Sequence, residues 1–338
     1  MSAVAFQRIA IYGVGAIGGW VGARLGAQPG VRLSAVARGE TLRALQAQGL
    51  RLRNPDGTVL HAPVHASNDP AALGVQDLVV LAVKAPALPE VAARIAPLIG
   101  PHTVVWTAMN GVPWWFLHGF GGVHANTALT SVDPQGQIAQ RIPADHIVGG
   151  VVHASCSVSA PGEITHHFGN GLIVGEPTGA PQPRTRALHD LLAKAGFAAT
   201  LSTHIQQDIW YKLWGNMTVN PVSALTGATT DRIMADPLLL DFISRVMLEA
   251  RAIGERIGIP LAQAPEDRHA ITRQLGAFKT SMLQDVQAGR AVELDALVSS
   301  VRELGQITGV ATPFTDALLG LARVHAQVHG LYPDAQPN

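Results

Sequence analysis

One short segment constrains the fold of this chain more than any other. The apolar run Arg8–Tyr12 leads directly into Gly13-Val14-Gly15-Ala16-Ile17-Gly18, and a helical pattern follows. A G-x-G-x-x-G between a strand and a helix is typical of a dinucleotide-binding βαβ unit. Its glycines make a tight turn, let the backbone approach the pyrophosphate, and let helix and strand pack closely. We therefore predict that residues 13–18 bind a dinucleotide; a glycine-rich turn without a ligand is the alternative.

The first 200 residues alternate between strand-like and helical patterns, which favours a parallel α/β sheet. Strands are predicted at Arg8–Tyr12, Val31–Ala37, Asp77–Val83 and Thr103–Thr107, and crossover helices at Ile17–Gln28, Gly39–Ala47 and Leu88–Leu98. The stretch Leu50–His65 alternates apolar and polar residues around Asp56-Gly57, which predicts a hairpin. A last strand is expected at residues 197–203.

From Ile205 onward, apolar residues recur every three or four positions, which is the helical period. Helices are predicted at Ile205–Asn220, Pro237–Ile257, Glu266–Ala288, Glu293–Thr308 and Pro313–Val328. The predicted fold class is therefore α/β, with a Rossmann-type dinucleotide-binding domain at residues 1–203 and an all-helical C-terminal domain at residues 204–338.

The composition excludes several classes of protein. Charged residues make up 14% of the 338 residues, apolar residues 47%, and the formal net charge is zero. A nucleic-acid binder needs a basic excess to neutralise phosphates, and none is present. No apolar run reaches the length of a membrane span. The single cysteine, Cys156, cannot form an internal disulfide, which favours a reducing, cytoplasmic compartment. No metal site is predicted, and the oligomeric state stays open, with a homodimer as one option.

The end of the second predicted strand indicates the cofactor. NAD enzymes usually place Asp or Glu there to bond the ribose hydroxyl, whereas this chain has Ala37-Arg38-Gly39. Arg38 can pair with a 2′-phosphate, which favours NADP(H). The alternative is a solvated surface arginine, and Glu40 lies close enough in sequence to alter the local field.

Two further loops follow strands on the same side of the sheet. Lys84 follows the third predicted strand and Asn110 the fourth. Ligands of open α/β sheets bind outside the carboxyl ends of the strands. Both residues are therefore predicted to contact the nicotinamide end of the cofactor or the substrate, with a purely structural loop role as the alternative.

The helix that follows residue 205 carries a polar stripe. Lys212, Asn216 and Asn220 are spaced by four and lie on one face, among tryptophans and aliphatic residues. Buried polar groups are costly without partners, so this stripe indicates a ligand or, alternatively, a core hydrogen-bond network. A ketone that receives a hydride becomes an alkoxide that needs a proton, and a desolvated lysine can supply it. Lys212 is the candidate acid.

A second polar cluster comprises Ser281, Gln284 and Asp285, with Glu293 and Asp295 beyond a helix-breaking Gly289. Glu293 is predicted near the start of a helix, where the helix dipole favours a carboxylate. Solvated faces and helix caps are the alternative interpretation of this cluster.

These motifs, in this order and spacing, resemble the ketopantoate reductase family over nearly the whole chain. The matching pieces are GVGAIGG, VARGE, VKA, NGV, the K-x-x-x-N-x-x-x-N-P of Lys212–Pro221, and SMLQD followed by VELD. The resemblance implies NADPH-dependent reduction of ketopantoate to pantoate, towards coenzyme A, with a small 2-oxoacid as substrate.

The resemblance also implies roles for single residues. Lys212 resembles the general acid, and Glu293 the acid that organises it and contacts substrate and cofactor. Asn110, Asn216, Asn220 and Ser281 fall on substrate-binding positions. The cofactor-binding positions are Gly13, Val14, Gly15, Ala16, Ile17, Gly18, Arg38, Lys84, Asn110 and Glu293.

Two departures from the family pattern bear on the substrate. Pro113–Phe116 is bulkier than expected after the Asn-Gly, and Gly119–Ile147 is long. A family relative that reduces another branched or aromatic 2-oxoacid is therefore an alternative, as is an NADPH sensor without turnover. A β-hydroxyacid dehydrogenase shares the Lys-x-x-x-Asn spacing, but the NGV loop and the Ser281–Glu293 pieces argue against that class.

Overall fold

The computed structural model describes residues 6–334 and divides the chain into two compact units. The first unit ends at Met109 and resumes over Gln137–Asp208. The second unit comprises Asn110–Gly136 and the chain from Ile209 onward. No helix among the described residues is long and apolar enough to cross a membrane.

The first unit is built on one mixed sheet, whose order in the described residues is β4-β3-β9-β8-β7-β6-β1-β2-β5, with β10 paired to β9. Its strands are β1 Arg8–Tyr12, β2 Arg32–Val36, β3 Leu50–Arg53, β4 Val59–Ala62, β5 His65–Ser67, β6 Leu78–Leu81, β7 Val104–Thr107, β8 Ile147–Ala160, β9 Glu163–Gly175 and β10 Ala198–Ser202. Its helices include α1 Ala16–Gly26, α2 Gly39–Gln48, α3 Leu88–Arg94, α4 Gln137–Arg141 and α5 Pro183–Lys194.

Six neighbouring strands of this sheet run parallel, in the order β5-β2-β1-β6-β7-β8. Traced along the chain, that is the 3-2-1-4-5-6 order of dinucleotide-binding folds. Strands β6 and β7 are buried along their whole length, as expected of parallel strands covered on both faces. The predicted Rossmann-type α/β class is confirmed.

Two hairpins complete the sheet. The predicted one is present as β3 and β4, which pair antiparallel across the Asp56-Gly57 turn. A second, longer hairpin of β8 and β9 was not predicted, although it contributes 14 and 13 residues. Its glycines and histidines break the alternation of apolar and polar residues by which strands are recognised.

From Ile209 onward, the second unit is built from helices. They are α6 Ile205–Thr226, of which residues from Ile209 onward belong to this unit, α7 Thr230–Ala235, α8 Pro237–Arg256, α9 Pro265–Arg273, α10 Ser281–Gln287, α11 Ser300–Thr308 and α12 Pro313–Val328. A π-helical turn, Asp295–Ser299, precedes α11. The predicted all-helical character of this part is confirmed.

Two predicted helix boundaries are wrong. Helix α6 continues through Pro221 to Thr226, because a proline removes only one backbone hydrogen bond and residues 221–224 are buried by packing. The single helix predicted at Glu266–Ala288 is instead α9 and α10. Between them Gly276 takes a positive φ of 61°, and the Thr280 hydroxyl accepts a hydrogen bond from Leu283 N to start α10.

The segment 110–136, which the predicted division at Thr203 assigns to the first domain, belongs to the second compact unit. The Val112 amide donates to the Ala296 carbonyl at 2.8 Å. The Glu303 carboxylate accepts from the backbone amides of Thr130 and Ser131 at 2.7 and 2.8 Å, and also from the Thr130 hydroxyl. These bonds tie the segment to the helices of the second unit.

Residues Pro113–Phe116, which are bulkier than the family pattern predicts, belong to this segment. Trp114, Trp115 and Phe116 are buried, and the ring of Phe116 lies 5.9 Å from that of Trp210. Phe116 therefore packs against α6 of the helical unit.

Candidate functional site

The glycine loop joins β1 to α1, and each of its three motif glycines faces different surroundings. A Cβ added at Gly13, where φ is 97°, would lie 2.7 Å from Val83 Cγ1 and 2.9 Å from the Ala82 carbonyl oxygen. A Cβ added at Gly18 would meet the Gly13 carbonyl oxygen at 2.0 Å. A Cβ added at Gly15 would meet no atom within 4 Å.

These three environments fit a dinucleotide. Gly13 and Gly18 are required by the tight turn and by close packing of helix on strand, whereas the open space at Gly15 is what a pyrophosphate needs for close approach. The first amides of α1, from Ala16 and Ile17 to Gly18, lack partners within the helix and can donate to phosphate oxygens. Val14 completes the loop.

Arg38 directly precedes α2 and follows β2, as predicted. Its guanidinium donates to Glu90 Oε1 at 2.7 Å, and 65% of the Arg38 side chain is exposed. Glu40, which the sequence had indicated as the neighbouring acid, instead lies 3.9 Å from Arg43. The acid beside Arg38 is therefore Glu90 of α3, distant in sequence and not predicted.

Lys84 lies at the carboxyl end of β6, beside β1, and its carbonyl accepts from the Ala87 amide in a short helical turn. The Lys84 side chain is exposed. The loops after β1 and β6 meet at the point where the strand order reverses, which is the usual crevice for a nucleotide.

Asn110 begins the second unit and contacts the predicted acid. The Lys212 ammonium donates to Asn110 Oδ1 at 2.7 Å. Burial of Lys212 lowers its pKa to about 8; nearby Arg268 also lowers it, and Glu293 opposes the shift. Glu293 is itself 5% exposed and lies just before the π-helical turn. Three predicted residues that are distant in sequence therefore form one cluster, which we call the lysine cluster: Asn110, Lys212 and Glu293.

The remaining predicted substrate residues lie on neighbouring elements of the same unit. Asn216 and Asn220 continue the Lys212 stripe on α6, and Ser281 begins α10. Among residues 6–334, none of these three side chains has a hydrogen-bond partner. Because Asn220 is 7% exposed, an unpartnered amide there argues for a ligand over a core network.

The other acids of the second polar cluster have structural roles. Asp285 pairs with Arg290 at 3.0 Å, and Asp295 accepts from the Tyr332 hydroxyl at 2.7 Å. No group of three or more His, Cys, Asp or Glu side chains in the described part of the chain is arranged to hold a metal ion.

One residue of this region was missed by sequence reasoning. Arg268 of α9 lies close enough to Lys212 to lower its pKa, and its ring contact is with Tyr211 of α6. Nothing in the local sequence distinguishes Arg268 from a surface arginine, since only the packing of α9 against α6 brings it here.

Two family models cover most of the chain. The model described as "Ketopantoate reductase PanE/ApbA" matches residues 9–179, and the model described as "Ketopantoate reductase PanE/ApbA C terminal" matches residues 204–326. Both parts of the family's architecture are therefore matched in order.

Individual proteins agree with the family models. A 2-dehydropantoate 2-reductase of Mesorhizobium japonicum is 46% identical over 326 residues, which is 96% of this chain and all of that protein. A solved structure of a candidate ketopantoate reductase from Ralstonia solanacearum MolK2 has 56% identity and a TM-score of 0.93, over 97% of this chain and 100% of that one. A 2-dehydropantoate 2-reductase structure from Methylococcus capsulatus has 25% identity and a TM-score of 0.81, and the match covers 96% of this chain and 98% of that one.

Proposed function

The chain belongs to the ketopantoate reductase family, and from that premise we propose that it reduces 2-dehydropantoate to pantoate with NADPH. It is then an oxidoreductase acting on a CH–OH group, in the biosynthesis of pantothenate and coenzyme A. The observation that carries the proposal is the lysine cluster, because it offers an acid of suitable pKa beside two oriented polar groups.

NADPH, when bound, supplies the hydride. The task left to the protein is to neutralise the negative charge that then develops on the keto oxygen. Lys212 does this by donating a proton from its ammonium group, and a pKa of about 8 keeps most of the amine protonated at neutral pH while making the proton easy to transfer.

Asn110 and Glu293 keep Lys212 ready for that step. The Asn110 side-chain oxygen accepts one of the three ammonium hydrogens and so fixes the direction of the amine. The carboxylate of Glu293 favours the charged form and limits the fall of the Lys212 pKa caused by burial.

The other predicted residues bind the two reactants. Asn216, Asn220 and Ser281 are proposed to bond substrate oxygens, which suits their unpartnered side chains. The glycine loop is proposed to hold the pyrophosphate, Arg38 the 2′-phosphate, and Lys84, Asn110 and Glu293 the nicotinamide end of the cofactor.

An absorbance assay tests the proposal. Purified protein with 2-dehydropantoate should consume NADPH, and mass spectrometry should identify pantoate as the product. A panel with another branched and an aromatic 2-oxoacid should show the highest kcat/KM for 2-dehydropantoate. A higher value for another oxoacid would overturn the substrate, and no NADPH consumption with any would overturn the enzyme.

A cytoplasmic location and a homodimer belong to the same proposal. The single cysteine, Cys156, is partly buried, and burial raises the pKa of its thiol to about 12, which suits a chain without disulfides. A ketopantoate reductase of Staphylococcus aureus with this fold is described as dimeric. A monomeric mass measured by light scattering would contradict the proposed homodimer.

A further inference from the structure

The guanidinium of Arg268 packs against the helix that carries Lys212. A Cβ added at Gly215 would lie 2.5 Å from Arg268 Nε and 2.8 Å from Nη2, and the guanidinium carbon is 5.2 Å from the centre of the Tyr211 ring. The approach is therefore allowed by a glycine in the interior of α6, where glycine is otherwise unfavourable.

Within residues 6–334, this guanidinium has no carboxylate within ion-pair distance. Among the described residues the Arg268 side chain makes no ion pair and no hydrogen bond, and its Nε is buried without a partner. Cations in such positions are normally paired, because removing them from water is costly.

Arg268 also lies close to Lys212. The positive charge of Arg268 lowers the pKa of Lys212, whereas the carboxylate of Glu293 raises it. A 2-oxoacid carries one negative charge, on its carboxylate. A guanidinium whose Nε is buried without a partner has the charge and the donors that this carboxylate needs.

We propose that Arg268 is the specificity-determining residue that binds the carboxylate of the 2-oxoacid substrate, an inference that rests on the proposed function. A planar guanidinium matches a carboxylate through two parallel hydrogen bonds. In a 2-oxoacid the keto carbon is bonded directly to the carboxylate carbon. Holding the carboxylate beside α6 therefore also brings the keto oxygen towards Lys212.

The test compares an acid with an uncharged substrate of the same carbon skeleton. Arg268→Gln should raise KM for 2-dehydropantoate by about 10- to 150-fold, the value of a charge-assisted hydrogen bond. The KM for the corresponding 2-oxoamide should stay nearly constant, because that compound has no charge to lose. Arg268→Lys keeps the charge without the planar fork, so its KM for the acid should fall between those of the wild type and Arg268→Gln.

Gly215→Ala provides a second variant that leaves the arginine in place. The added methyl must displace the guanidinium, so KM for the acid should rise in the same direction but by a smaller factor. Gly320→Ala is the matched control, because a Cβ in that helix meets no atom within 4 Å and KM should not change. NADPH affinity, measured by fluorescence, should be unaltered in all four variants and reports that they are folded.

The outcomes separate this inference from the function on which it rests. An equal loss on the acid and the amide, or a fall in kcat with constant KM, would show that Arg268 acts only through Lys212 or through packing and would overturn the carboxylate role. If the wild-type protein did not oxidise NADPH when any of the 2-oxoacids was added, the proposed function itself would be overturned. Wild-type activity with an unchanged KM in Arg268→Gln would overturn the inference alone.

Discussion

In the proposed nucleotide-binding region, formed by the glycine loop and Arg38, Arg38 is 65% exposed and pairs with a half-exposed Glu90. In the lysine cluster, Glu293 is 5% exposed and burial shifts the pKa of Lys212 to about 8. The first region is proposed to bind its ligand through backbone amides and one solvated charge. The second combines a buried carboxylate with a partly buried ammonium group. Exposed charges are screened and contribute little, while buried charges interact strongly. We therefore expect changes at the loop to alter cofactor affinity and salt dependence, and changes at the cluster to alter the rate.

The largest expected effect is on the chemical step. Lys212→Ala removes the proton donor, so kcat should fall by the roughly 10²–10⁴-fold typical of general acid catalysis. NADPH affinity should change little. Steady-state kinetics with a fluorescence titration of NADPH checks both, and Lys194→Ala on the exposed end of α5 serves as the control. A near-normal kcat in Lys212→Ala would refute the assignment of the acid.

The next effect is on cofactor choice. A charge-assisted hydrogen bond to phosphate contributes about 1.5–3 kcal/mol, or roughly 10- to 150-fold, and NADPH should exceed NADH in kcat/KM by that factor. Arg38→Ala should remove most of the preference by weakening NADPH and should leave NADH nearly unaffected. Higher ionic strength should weaken NADPH binding more than NADH binding. If the wild type used NADPH and NADH equally well, Arg38 would not bind the 2′-phosphate and would be only a solvated surface residue.

The pH dependence of kcat tests the burial of Lys212. With a pKa of about 8 the acid form is lost as pH rises, so kcat should be flat below pH 7 and about tenfold lower at pH 9. Arg268→Gln removes a positive neighbour and should move this fall to higher pH. A profile that stays flat to pH 10 would contradict proton donation by this amine.

The smallest effect concerns Glu90, which competes with the 2′-phosphate for Arg38. An exposed ion pair is worth about 0–1 kcal/mol, so Glu90→Gln should tighten NADPH by about fivefold at most. NADH affinity should not change. Glu266→Gln on α9 is a control of the same type in the other unit. Weaker NADPH binding in Glu90→Gln would show that the ion pair positions Arg38 for the phosphate.

The two regions also differ in how far the sequence predicts them. The loop from Gly13 to Gly18 is continuous, and its φ requirements and close contacts are local, so its glycines alone indicate the turn. The same local patterns predict the parallel strands and the Asp56-Gly57 hairpin. Long-range pairing, as in β8 and β9, is not encoded in a short window.

The lysine cluster is only partly predictable for the same reason. The four-residue spacing of Lys212, Asn216 and Asn220 places them on one helix face, but the bond from Lys212 to Asn110 joins residues 102 positions apart. Arg268 and Glu90 act through packing and charge across elements, and no spacing rule identifies them. Family resemblance supplied Asn110 and Glu293 where periodicity alone left alternatives open.

The membership of residues 110–136 in the second unit has a consequence for how the protein folds during translation. Thr130 leaves the ribosome 173 residues before Glu303, whose carboxylate it binds in the finished protein. At about 5–20 residues per second, that interval is roughly 9–35 s. During this time Trp114, Trp115 and Phe116 have no helical partner to cover them. The second unit is complete only when the helices after Ile209 have been synthesised, so this aromatic segment stays uncovered until then.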